Sequence, residues 1–413
     1  MIVSCFLLLL NGSLFVSEKY LDPFGLRLDE FFGDKTGRGV QTLTDRSPGD
    51  VLMEIPNNCV ITSQRLFERY PFLASDKTEA ALSDEEVLAA GICFLKATQD
   101  DYISSFPESH ASIITLPSQV WDDIASCLPG CYRTSLQATR DWTSEACHKI
   151  RSCLQEQSTI SISDEDDLIR WACSMVRSRS IAVPELGTNE DDDSSSPLQE
   201  PPRGLFPGLD LLNHRIGAGT QLALDTEDDV WRVTTQDKYS KNDQIFLSYG
   251  DDKDNWKLLL TYGFCLEHNP SALIFFDIDD LLNAAMKSPR LGKVITARVK
   301  ESLKQNPQLR AYTSLGEDRA TFSYDAKLQE PRESLHGGLA LMTSVANQLG
   351  SIEESSVLAT ELFQMMIEIR RKELQTAVSD IPKVKAKVGD EWNGFVSSLE
   401  LVLKQELGCL TRS

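Results

Sequence analysis

Three short segments carry side chains whose types and spacing could do chemistry. They are Leu209-Asp210-Leu211-Leu212-Asn213-His214, then Gln244-Ile245-Phe246-Leu247-Ser248-Tyr249-Gly250, then Tyr262-Gly263-Phe264. Together they offer an Asn-His pair, a strand-end tyrosine and a Tyr-Gly-Phe turn. None is a metal, phosphate or protease signature. Each also has a plain reading. Asp210 and Asn213 could simply cap a turn after Phe206-Pro207-Gly208. Tyr249 could end its strand with its hydroxyl in water, and Tyr262-Gly263-Phe264 could be a turn after Leu258-Leu259-Leu260.

The elements that must position these residues can be read from periodicity. Val51-Leu52-Met53-Glu54-Ile55 and Cys59-Val60-Ile61 read as strands. From about residue 63 to 180 the pattern is helical. Ser83-Asp84-Glu85-Glu86 is a capping box opening a helix with Val87, Ala90, Gly91, Phe94 and Leu95 on one face. Ser163-x-x-Asp166 opens another, through Trp171, Met175 and Val176. Pro184 to Arg203 is rich in acid, Ser and Pro without an apolar repeat, which predicts a solvated, disordered loop. Residues 221–224 and 230–233 flank Thr226-Glu227-Asp228-Asp229 and predict a hairpin. Gln244 to Tyr249 predicts a third strand. After Pro270 helices dominate: Val357–Val378, with Leu358, Leu362, Phe363, Met366, Ile369 and Leu374 at helical spacing, and Glu391–Glu406, ending at Gly408 as a C-cap.

Composition bounds the function. At 413 residues, two domains are expected, or one with a large insertion. The net charge is -21. It is uneven: residues 1–280 carry a net of -23 and residues 281–413 a net of +2. An acidic N-terminal part argues against direct nucleic-acid binding, which rests on neutralising phosphates. It suits solubility, or a basic protein substrate. The ten cysteines include no Cys-x-x-Cys and no His at zinc-ligand spacing. No metal site is expected, and the thiols read as reduced and mostly buried in an intracellular protein. Met1 to Leu10 is almost wholly apolar. Residues 1–19 stay open between a targeting leader, a buried first element and a truncated start. That stretch is too short to span a bilayer as a helix, so no stable membrane insertion is expected.

The order of the motifs is more specific than any one of them. Asp-x-x-Asn-His is followed by Ser-Tyr-Gly, then Asn255, Leu258-Leu259 and Tyr-Gly-Phe, ending at Asn269-Pro270. This stretch, 204–270, resembles the C-terminal half of a SET-domain protein methyltransferase. It is nearest to the branch of the Rubisco large-subunit lysine methyltransferases. Earlier segments agree. Thr36-Gly37-Arg38-Gly39 before Val51–Pro56 resembles the family's Gly-x-Gly loop and strand. Arg170-Trp171-Ala172 through Ser178-Arg179-Ser180 resembles its Trp-Ala…Ser-Arg helix. The loop departs from the family, reading Gly-Arg-Gly-Val-Gln where an apolar residue and Ala are frequent. The cysteine-rich zinc cluster that follows the core in many histone methyltransferases is also missing, which points to a non-histone substrate.

The resemblance implies an α+β fold. A β-rich SET core at 20–275 would be split by a helical insertion at about 63–165. An all-helical substrate-binding domain would follow at 280–413. It implies an S-adenosyl-L-methionine-dependent protein-lysine N-methyltransferase, monomeric and bound to a protein substrate. Tyr249 matches the catalytic tyrosine. Gly37, Arg38, Gly39, Arg179, Asp210, Asn213, His214, Tyr262 and Phe264 would meet the cofactor, with a guanidinium fork at Arg179 suited to an anion. Ile181, Tyr249 and Tyr262 would line the channel for the target side chain. Two alternatives stay open: a histidine N-methyltransferase, which an apolar Ile181 disfavours, and a catalytically weak SET-type binding module. Plastid, cytoplasm and nucleus remain open as compartments.

Overall fold

The computed structural model describes residues 17–31, 37–74, 82–107, 112–155, 165–183, 202–271, 273–289, 292, 321–325, 330–331, 339 and 355–411. The apolar start through residue 16, the acidic stretch from 184 to 201 and the Ser163 cap lie outside them. The chain divides into two units. The first comprises Met1–His110 and Trp142–Asp251, the second Ala111–Asp141 and Asp252–Ser413. The division follows Asp251, ahead of the 275–280 boundary expected from the sequence.

The first unit is built on small sheets. β1 (Leu26–Phe31) and β2 (Gly37–Thr42) pair antiparallel, with Leu28 opposite Val40 and Asp29 opposite Gly39. β3 (Val51–Pro56), β4 (Ile61–Thr62), β5 (Ile181–Ala182), β6 (Arg203–Leu205), β7 (Asn213–His214), β8 (Thr220–Asp225), β9 (Val230–Thr235) and β10 (Gln244–Leu247) complete its strands among the described residues. One sheet runs β1-β2-β10-β7, another β3-β9-β8 and a third β4-β6-β5. The expected hairpin is β8–β9. Trp231, Val233 and Thr235 of β9 point inward at every second position. Asp225 accepts the Glu227 and Asp228 amides at 2.9 and 3.2 Å, which closes the turn. Trp231 meets Phe206 edge-on at 5.2 Å, and its indole donates to Asn57 Oδ1 at 3.0 Å.

Three helices of this unit bear on the site. α1 (Ser63–Arg69) is capped by Thr62. α2 (Asp84–Ala97) opens with the Ser83/Glu86 capping box and buries Val87 through Cys93 without a break. It is therefore an interior helix, wider in its burial than the single face read from periodicity. Gly91 explains how α1 comes close: a Cβ there would sit 2.5 Å from Leu66 Cδ1. α3 (Ser118–Cys127) belongs to the second unit. Helix α4 (Gly130–Gln155) contributes its residues to Asp141 to that unit and the remainder to the first. α5 (Glu165–Arg179) buries Ile169, Ala172, Cys173, Met175 and Val176.

The second unit is helical in the main: α6 (Asn255–Tyr262), α7 (Ile278–Lys287), α8 (Ser355–Lys385) and α9 (Asn393–Thr411). It adds a sheet that an all-helical reading did not anticipate. β11 (Leu273–Asp277), β12 (Thr321–Asp325) and β13 (Glu330–Pro331) pair antiparallel. The alternating Thr-Phe-Ser-Tyr run of β12 is a strand pattern too short to stand out among helices. α8 buries Leu358, Leu362, Met366, Leu374, Ala377 and Ile381, whereas Phe363 and Ile369 are half-buried. α9 runs through Gly408 instead of stopping there, because Leu410 is fully buried and holds the last turn in place. No helix among the described residues is long and apolar enough to cross a membrane.

Candidate functional site

The capping reading of Asp210 and Asn213 does not hold. Leu209–Leu211 form one 3-10 turn without a side-chain cap. Asn213 and His214 then form β7, parallel to β10, with Phe246 opposite Asn213 and Leu247 opposite His214. The pair is thus fixed by main-chain hydrogen bonds inside a sheet. The Asn213 amide donates to the Arg38 carbonyl at 3.1 Å and to Gln244 Oε1 at 2.7 Å. Arg38 and Gly39 lie in strand β2, where a loop was expected, because the register with β1 takes them into the sheet, opposite Glu30 and Asp29. Gly39 is required by this contact: a Cβ would stand 2.5 Å from Gln244 Oε1 and 2.6 Å from Asn213 Nδ2.

Tyr249 lies just beyond β10 and is tied to the same two residues. Its amide donates to His214 Nδ1 at 3.0 Å. That nitrogen must accept, so the neutral imidazole carries its proton on Nε2. The two rings stack, with centroids 5.1 Å apart. The Tyr249 hydroxyl donates to the Leu212 carbonyl at 2.8 Å. Behind it, Asp251 Oδ1 accepts from Ser248 Oγ at 2.6 Å and from the Gly217 amide at 2.9 Å. These bonds hold the Asp251 carboxyl below its ordinary range and close the turn that carries Tyr249.

A charged cluster adjoins this turn. Asp210 is fully buried at its side chain and Arg179 is 17% exposed. An Arg179 terminal nitrogen donates to the Asp210 carbonyl at 2.7 Å and lies 3.8 Å from Oδ2. The Tyr102 hydroxyl donates to the same Oδ2 at 2.9 Å. Arg38 reaches the Ser105 carbonyl at 2.7 Å, and Arg179 lies over the Phe106 ring at 5.1 Å. Burial pushes the Asp210 carboxyl up, and Arg179, Tyr102 and Arg38 oppose that rise. Burial and the neighbouring Arg179 hold Arg38 below its ordinary value. Two guanidiniums thus face one carboxylate. Asp210 Oδ1 and Arg179 Nε are both buried without a hydrogen-bond partner. Arg203 pins the end of α5 by donating to Ser180 Oγ at 2.8 Å and to its carbonyl at 2.7 Å.

The first unit therefore brings together Arg38, Gly39, Arg179, Asp210, Asn213, His214 and Tyr249. Ile181 lies half-buried in β5, opposite Gly204. Tyr262 and Phe264 belong to the second unit, where their rings are 6.1 Å apart around Gly263, the left-handed C-cap of α6. In that unit Asn255 accepts the Leu266 amide at 2.9 Å and the Asn269 amide at 3.1 Å. Those two residues of the compound motif fasten a loop. Tyr102 went unnoticed in the sequence, and Gln244 was read only as the first residue of its strand. Gln244 had a weak signal as a polar residue opening an apolar strand, and Tyr102 had none.

The fold has known counterparts. No family model matches. Over 262 residues the chain is 24% identical to SET domain-containing protein 4 of Artemia parthenogenetica, covering 60% of this chain and 61% of that protein. Over 258 residues it is 23% identical to the human protein of that name, covering 58% and 54%. A stretch of 105 residues is 31% identical to the ribosomal lysine N-methyltransferase set10 of Schizosaccharomyces pombe, covering 25% and 17%. The chain spans a little over half the length of the first curated relatives it matches. Among solved structures, the SET domain of LSMT bound to lysine and AdoHcy superposes with a TM-score of 0.57 at 16% identity, covering 94% of this chain and 87% of that one. Rubisco LSMT bound to sinefungin and monomethyllysine gives 0.55 with the same coverage.

The chain has a SET-domain fold. Its resemblance to the LSMT branch extends over nearly its whole length. β7 and the Tyr249 turn, 35 residues apart in sequence, meet through the Tyr249 amide, ring and hydroxyl.

Proposed function

We propose that this chain is an S-adenosylmethionine-dependent protein-lysine N-methyltransferase acting on a non-histone protein. One observation carries the reading: Asn213-His214 is clamped on one side by Arg38-Gly39 and on the other by the Tyr249 turn. Arg179, 17% exposed at its side chain beside the fully buried Asp210, offers a guanidinium suited to the carboxylate of a small ligand. Gly37, Arg38, Gly39, Arg179, Asp210, Asn213 and His214 would hold S-adenosylmethionine. When bound, that cofactor supplies a sulfonium methyl: an N–C bond forms to a neutral lysine amine as the C–S bond breaks, its electron pair staying on sulfur.

The work left to the chain is positioning and electrostatics. Tyr249 directs its proton at the Leu212 carbonyl. Its oxygen therefore keeps lone pairs to accept from an amine and to oppose a cationic centre. It need not be a strong base, because a lysine ammonium can lose its proton to water before transfer. His214 Nδ1 already accepts the Tyr249 amide, so that nitrogen holds the turn instead of moving protons. Ile181 would make an apolar channel wall, which suits an aliphatic lysine stem better than an imidazole. The helical residues 280–413 would bind part of the protein substrate, and the core would span 20–275. Two of the structural neighbours hold lysine or monomethyllysine, which supports the choice of acceptor.

The acceptor is tested by incubating the protein with methyl-labelled S-adenosylmethionine and lysate protein, then hydrolysing the product. Label in N-methyl-lysines is expected. Label in N-methylhistidine would replace lysine by histidine as the acceptor.

A further inference from the structure

We propose that Tyr102 is a positioning residue of this site: through Asp210 it fixes Arg179 and the carbonyl that holds the Tyr249 hydroxyl. The inference rests on the reading of the site as an S-adenosylmethionine pocket. The Tyr102 hydroxyl is buried and gives its one proton to Asp210 Oδ2 at 2.9 Å across a separation of 108 residues. Its ring is held edge-on by Phe106 at 5.0 Å, so the hydroxyl has a fixed direction. Phe106 in turn carries the Arg179 guanidinium on its face. Tyr102 itself sits at the start of a turn, its amide bonded to Asp100 Oδ1 at 3.0 Å.

What Tyr102 holds is a short chain of contacts. Asp210 lies within the 3-10 turn Leu209–Leu211, which is closed by the Leu212 amide on the Leu209 carbonyl at 3.1 Å. The Leu212 carbonyl is the acceptor of the Tyr249 hydroxyl. The Asp210 carbonyl is the acceptor of Arg179. Fixing the Asp210 side chain thus fixes two carbonyls, one for each residue that would face the cofactor. The groups facing Asp210 are Tyr102, Arg179 of α5 and Arg38 of β2. Without the tyrosine hydroxyl, the buried carboxylate retains the guanidiniums of Arg179, at 3.8 Å, and Arg38, and the nearby Gly208 amide. Its proton affinity then climbs, because the hydroxyl hydrogen bond favours the charged form.

The test compares Tyr102→Phe with wild type by calorimetric titration of S-adenosylmethionine between about pH 5 and pH 8. Tyr132→Phe is the control. It removes a second buried tyrosine-carboxylate bond, to Glu406, in the other unit. Tyr102→Phe is expected to weaken cofactor binding about tenfold, the value of one charge-assisted hydrogen bond. Its affinity should also decline with falling pH from a higher pH than in wild type, as Asp210 takes a proton. Tyr132→Phe should lower thermal stability comparably and leave affinity within error. Cofactor affinity and pH profile unchanged in Tyr102→Phe, with wild-type binding intact, would overturn the inference alone. Equal loss of affinity in both variants would reduce Tyr102 to a structural role and overturn it too. Absence of binding by wild type would overturn the cofactor reading, and the inference with it.

Discussion

Tyr249 and Asn213 are held by bonds that leave little freedom at the residue scale. The Tyr249 amide and ring both meet His214 of β7, and its hydroxyl meets the Leu212 carbonyl just before that strand. Asn213 was legible because it is adjacent to His214 and follows Asp210 at a fixed spacing. Its partners were not. Gln244 is 31 residues away, and nothing in Gln244-Ile245-Phe246 announces that its amide oxygen faces Asn213. Tyr102 was illegible for the same reason at a longer range. Replacing Gly39 by Ala tests the packing directly. The new Cβ needs the space of two amide groups, so Asn213 must leave the Arg38 carbonyl. Gly39→Ala should lose about 1–3 kcal/mol of stability, the usual cost of overpacking. It should lose cofactor affinity out of proportion to that cost, as read by calorimetry beside a thermal melt. Retained affinity with lowered stability would make Gly39 a packing residue only.

Elements set the limits of what sequence could show. The β8–β9 hairpin and the α2 capping box were legible, because turn chemistry and caps are local. The Gly37-x-Gly39 segment read as a loop, since glycines normally interrupt strands. Its β1 partners take it into a sheet nonetheless. β12 and the continuation of α9 past Gly408 depended on tertiary burial that no local signal carries. Gly91 gives an element-scale prediction. Gly→Ala in a helix gains about 1 kcal/mol in propensity. Overpacking costs about 1–3 kcal/mol. With Leu66 Cδ1 only 2.5 Å from the new Cβ, packing should win. Gly91→Ala should lower the unfolding free energy by about 1 kcal/mol. Leu66→Ala alone should destabilise by about 2–5 kcal/mol. The double variant should then be more stable than the two single losses add up to, because the clash has gone. Strict additivity would show that α1 and α2 move apart freely.

At the scale of the whole molecule, the fold class was read from the order of motifs along the chain, whereas the second unit's buried charges were not read at all. Arg370 is 1% exposed within α8 and paired with Asp280 of α7. Glu406 of α9 is buried beside Tyr132, and its carboxyl is pushed up to about 8 by desolvation. Asp254, the N-cap of α6, is pushed up to about 6 by the same cause. The folded state then binds more protons than the unfolded chain between the ordinary carboxylate range and these values, so stability falls as pH rises. The loss from Glu406 is complete once pH passes about 8. Melting temperature should therefore decline from about pH 5 to pH 8, and Glu406→Gln should flatten that decline while keeping an acceptor for Tyr132. An unchanged slope in the variant would assign the dependence to other groups. The central claim, however, is that this molecule transfers methyl groups with Tyr249 at the reacting centre. Its most direct test is transfer of label from S-adenosylmethionine to lysate protein by wild type and by Tyr249→Phe, with cofactor affinity measured on both. The account predicts labelling by wild type and a fall of about 100-fold or more in the variant, with cofactor affinity retained. Equal labelling by both, or no labelling and no cofactor binding by either, would contradict it.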